Sequence, residues 1–106
     1  MKSEAFPERI RDLPKFDGPF EAMRLAAEDG CEVLFASYPA GTSIASHQHD
    51  TDNHGVITKG ELYLTLDGVE SRFGIGDWYH VAAGQKHSAR FETETAEIEF
   101  WFTAKP

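Results

Sequence analysis

The sequence predicts an all-β fold, a sandwich or small barrel. Three observations predict it. Apolar and polar residues alternate along several short segments. Asp-Gly pairs stand where tight hairpins need them. Glycines at 41, 55, 60, 68, 74, 76 and 84 cut the rest into short strands and short turns. No 10-residue segment shows clean helical periodicity with caps.

The elements follow in chain order. Residues 1–18 hold Pro7, Pro14 and many charges, and read as an arm that lies on the surface or pairs with another copy. "FEAMRLAAE" is rich in helix formers, yet Asp29-Gly30 joins it to a clear strand, so it reads as a strand. "CEVLFASY" (31–38) follows, with Val33 and Phe35 on one face. In "ELYLTLDG", Leu62, Leu64 and Leu66 share a face, and Asp67-Gly68 supplies the turn into "VESRF". Finally "AEIEFWFT" sets Ile98, Phe100 and Phe102 against Glu97, Glu99 and Trp101. Residues 19–104 read as one domain after the arm, since 106 residues support one modest core.

Composition narrows the function. The net charge is −8, which argues against nucleic acid and against an anionic membrane surface, because both need a basic footprint. No run of apolar residues is long enough for a membrane span. The N-terminus lacks the apolar core of a secretory signal, so the cytoplasm is the expected location. Cys31 is the only cysteine, so neither a disulfide within the chain nor a cysteine-based zinc cluster is expected; it reads as a thiol in a strand.

The chemistry concentrates in "SHQHDTDNH" (46–54), with three of the five histidines and two aspartates. On a strand, His47 and His49 at i, i+2 share one face, and His87, several strands later, is free to come back beside them. The residues alone leave two readings open: a metal site or a solvated polar turn. Asp50 and Asp52 read as turn residues. Trp78, Tyr79, Phe91, Trp101 and Phe102 read as core or dimer interface.

"GTSIASHQHDTDNHGVITKG" (41–60) resembles the first motif of the cupin superfamily, which is Gly, five residues, His-x-His, three or four residues, Glu, six residues, Gly. Gly41, His47, His49 and Gly60 match. "GDWYHVAAGQKH" (76–87) resembles the second motif, with Gly76, Gly84 and His87 in place. The resemblance implies a cupin-like double-sheet antiparallel β-barrel, a jelly roll. It implies a metal held by His47, His49 and His87, and a homodimer in which the arm, with Phe6 and Phe16, crosses between subunits.

The chain departs from the pattern at three places. Ala82 replaces the second motif's proline, and Phe91 its asparagine. Asn53 stands where the first motif carries glutamate. Asn53 is therefore the fourth candidate around the metal, with His54 as the alternative ligand and water as a third option. An imidazole-dominated site suits zinc, nickel, iron or copper better than manganese. His80 is a candidate pocket acid or base, or else a packed edge histidine. The resulting expectation is a metal-dependent enzyme, oxygenase- or lyase-like, acting on a small anionic molecule. The alternative is a non-catalytic cupin that binds or senses a metal or small ligand.

Overall fold

The computed structural model describes residues 5–28 and 30–103, and only the backbone of residues 26–28. Among the described residues, one short helix, α1 (Glu8–Arg11), precedes nine strands. They are β1 (Glu21–Glu28), β2 (Cys31–Tyr38), β3 (Ser43–His47), β4 (Thr51–Lys59), β5 (Leu62–Leu66), β6 (Val69–Phe73), β7 (Trp78–Val81), β8 (His87–Arg90) and β9 (Thr95–Thr103). They form two antiparallel sheets, with strand orders β1-β2-β9-β4-β7 and β3-β8-β5-β6.

This is the double-sheet jelly roll that the sequence predicts. "FEAMRLAAE" does form a strand, because pairing with β2 and β2's pairing with β9 override its helical propensity. Asp29, half of the expected turn between β1 and β2, lies outside the described residues, as do residues 1–4 of the arm and residue 104. Asp67 and Gly68, both at positive φ (51° and 82°), close the β5–β6 hairpin, as an Asp-Gly pair does in a type I′ turn.

Strand alternation decides what enters the barrel. Leu34, Ala36 and Tyr38 from β2, Ile57 from β4, Leu62 and Leu64 from β5, Val81 from β7 and Phe91 form the inner core. Val33 and Phe35 do share a face, but it is the outer one. There the arm covers Phe35: Phe6, Met23 and Ala96 are buried together, with Ile10, Leu13, Phe35 and Ile98 packed around them. Phe6 meets Phe35 edge to face at 5.7 Å. Phe16 stacks on Phe20, and Phe20 lies against Tyr38. The described part of the arm thus lies on its own barrel, and Phe6 and Phe16 both find apolar partners within the chain.

Covering the outer face has a consequence for β9. Ile98 packs under the arm, so Glu97 and Glu99 point into the barrel, 1% and 4% exposed. Gly55 makes room for this arrangement. A Cβ there would lie 2.3 Å from the Tyr79 ring, so the glycine lets Tyr79 lie flat across β4 with its hydroxyl aimed at Glu97.

Candidate metal centre

His47 ends β3 and pairs in register with His87, which opens β8. His49 lies beyond the end of β3, in the connection to β4, so its approach comes from the turn rather than from the pleat. Gly84, at positive φ (79°), holds that turn: its N–H donates to the His49 carbonyl at 2.7 Å. Ala82, in the proline position, donates its N–H to Gln85 Oε1 at 3.1 Å, a bond that proline could not make.

The three rings converge. Their centroids are 5.7 Å (47–49), 4.2 Å (47–87) and 4.8 Å (49–87) apart, and one ring nitrogen of each lies within 4.8 Å of the others. Each Nδ1 already has a backbone partner. His47 Nδ1 faces Ala45 O at 2.9 Å, His87 Nδ1 faces Gln85 O at 3.0 Å, and His49 Nδ1 faces Thr51 O at 3.3 Å. A carbonyl can only accept, and Thr51 Oγ1, 3.1 Å from His49 Nδ1, gives its own hydrogen to Asn53 Oδ1, so each Nδ1 carries the proton and Nε2 keeps its lone pair. Burial lowers the pKa of His49 and of His87, chiefly through lost hydration of the charged ring. Neutral imidazole is the metal-binding form. The donor set therefore fits a divalent transition ion.

Asn53 faces inward from β4 and is 6% exposed. Its Oδ1 accepts from Thr51 Oγ1 at 3.0 Å, and its Nδ2 faces His49 Nε2 at 3.4 Å. An ion on His49 Nε2 would displace that amide N–H. His54 and His80 do not join this site. β4 runs in unbroken register past Asn53 and His54, so alternation turns Asn53 in and His54 out. His80 lies opposite His54, on the outer face as well.

The histidines open into a small cavity of about 70 Å³, also lined by Asn53, Tyr38, Tyr79, Phe91, Trp101, Glu97 and Glu99. That is room for about two waters at liquid density. Trp101 lies 4.9 Å from the His49 ring. Tyr38 donates to Glu99 Oε2 at 2.6 Å and Trp101 Nε1 to Glu99 Oε1 at 3.0 Å. Tyr79 donates to Glu97. Burial raises the pKa of both carboxyls, and that of Glu97 well above 4.5, with the Glu99 charge adding to the rise. Glu99 accepts from Tyr38, Trp101 and Glu97, which stabilises its charge, so Glu97 holds the proton of the pair. Tyr38 and Tyr79 are themselves held protonated, first by burial and then by the neighbouring acid pair. In the sequence this acid wall leaves little trace. Its only signal was two carboxylates at i, i+2 on the strand face that carries Trp101.

This barrel, with three histidines at one end of its cavity, defines a cupin. A Cupin domain family model matches residues 34–103, and the chain belongs to that family. Among solved structures, an RmlC-like cupin from Shewanella frigidimarina superposes with a TM-score of 0.78 at 20% identity, covering 90% of this chain and 87% of that one. KdgF from a Halomonas species gives 0.76 at 19% identity, covering 94% and 93%. A Cupin 2 conserved barrel domain protein from Salinispora arenicola gives 0.73 at 21% identity, covering 93% and 87%. No curated protein sequence matches the chain. At these identities the structural likeness establishes the fold alone.

Proposed function

We propose that this protein is a metal-dependent enzyme, oxygenase- or lyase-like, acting on a small anionic molecule. His47, His49 and His87 hold one divalent transition ion through Nε2, and Asn53 stands beside it. The supporting observation is the set of three Nδ1–carbonyl contacts, which leave three lone pairs around one small space. Zinc, nickel, iron or copper suits three imidazoles; manganese suits them less.

A bound ion would supply Lewis acidity toward an oxygen of the ligand. The chain's own residues do the rest. Glu99 brings into the cavity the negative charge that Asn53 lacks. Glu97 holds a proton beside it, and the Tyr38 and Tyr79 hydroxyls hold both carboxyls in place. The cavity's size restricts the ligand to a small molecule. Asn53 in place of a carboxylate favours the second reading, a binding or sensory cupin without turnover. The expected cytoplasmic location and homodimer belong to this proposal. Among the described residues, no helix is long and apolar enough to cross a membrane.

The test is metal analysis of tag-free protein expressed under several metal supplies and then dialysed. The inner site is expected to contribute about one ion per chain, retained in Asn53→Ala and lost in His87→Ala. A parent chain that holds no ion under any supply overturns the reading. Oxygen uptake and product analysis with a panel of small acids, diketones and thiols then separate enzyme from binding module.

A further inference from the structure

We propose that Asp52, His54 and His80 form a second metal site, on the outer face of the five-stranded sheet, for a divalent transition ion of the zinc type.

The placement follows from register. His54 on β4 and His80 on β7 are direct cross-strand partners, and Asp52, two residues before His54, shares their face. The carboxylate bridges the pair: His80 Nε2 stands 2.8 Å from Asp52 Oδ1, and His54 Nε2 stands 3.3 Å from Asp52 Oδ2. The two rings stack at 4.2 Å with 6° between their planes. One ligand atom of each residue lies within 4.8 Å of the others.

Two nitrogens on one tetrahedral ion stand about 3.4 Å apart, given metal–nitrogen bonds of about 2.0–2.1 Å. A modest swing of the stacked rings reaches that spacing. The side chains are 43% (His54), 50% (His80) and 38% (Asp52) exposed, so nothing packed has to move. The ion enters directly from solvent. Phe102 meets the His54 ring edge to face at 5.9 Å, and Trp78, Phe100 and Phe102 form an apolar hollow beside it. That flank limits rival water on one side and strengthens a charge-based contact. Two nitrogens and one carboxylate oxygen suit zinc, copper or nickel. They leave a fourth position for water or a small oxygen anion.

The outer set shares no residue with the histidines inside the barrel, so the two sites stand or fall separately. The test is equilibrium dialysis of the tag-free, metal-stripped full chain against zinc alone near neutral pH, with histidine-ring NMR signals followed in parallel. The parent should take up an ion that shifts the His54 and His80 rings. His54→Ala and His80→Ala should each take up one ion fewer per chain, and Asp52→Asn should bind that ion at least tenfold more weakly. Circular dichroism checks that these surface variants remain folded. In His87→Ala the outer ion should persist even though the inner one is lost. The proposal is overturned if zinc leaves the His54 and His80 signals unmoved, or if the three outer variants take up as much zinc as the parent with equal affinity. Uptake at the outer site alone would uphold this inference and sink the reading of the inner one.

Discussion

Replacing Glu97 by glutamine should make the protein more stable at neutral and alkaline pH. Glu97 is buried in the barrel, and its folded pKa stands well above 4.5 because burial and the Glu99 charge oppose its ionisation. An acid with a raised folded pKa contributes its full stability below its unfolded value. That contribution is lost as pH rises toward the folded value. Each pH unit inside that window removes about 1.4 kcal/mol, because the unfolded chain releases a proton that the folded chain keeps. The folding constant thus falls about tenfold for each such unit. With a urea slope of about 1–3 kcal/mol/M, the midpoint moves by about 0.5–1.4 M per unit. Glutamine keeps the shape and the hydrogen-bonding roles of the neutral acid: its carbonyl accepts from Tyr79 and its amide donates to Glu99. It carries no proton to lose. Urea melts of the metal-free parent and of Glu97→Gln at intervals from pH 4.5 upward isolate the effect, because every other titrating group is common to both. The gap between the two curves should open with rising pH, in favour of the variant. Parallel curves, or a variant less stable throughout, would refute the assignment of the proton to Glu97.

Gly55→Ala should cost at least about 1–3 kcal/mol, measured by thermal melting, because its Cβ would lie 2.3 Å from the Tyr79 ring, backed by a packed core. Phe6→Ala should cost about 3–5 kcal/mol of the stability that the arm adds and speed proteolysis at the arm, since Phe6 fills the outer cluster with Met23, Ala96 and Phe35. Asn53→Glu should raise affinity for manganese and iron relative to the parent in competitive metal titrations, because a carboxylate is a harder ligand than an amide. Light scattering at micromolar concentration should return twice the chain mass; a monomer would remove the homodimer from the proposal.

The sequence by itself marked out the fold class, and through its likeness to the two cupin motifs it singled out three histidines that the structure brings together. Strand alternation, Asp67-Gly68 and the two motifs with their glycines are local signals, and local signals survive in a linear string. The sequence also placed Asn53 in the glutamate position, and the structure puts it against His49. Which face of a strand turns inward is not local. In β9 the phenyl face looks like the core, yet it is the carboxylate face that enters the barrel. The arm and the outer surface take up Ile98, Phe100 and Phe102, and partners from other strands, Tyr38 and Tyr79, satisfy the buried carboxyls. Likewise His54 and His80 are 26 positions apart in the sequence, and only the β4–β7 register stacks them over Asp52. A pattern of period two fixes which residues share a face. Only the packing of sheet on sheet and arm on sheet, which depends on residues far apart in the chain, decides what each face meets.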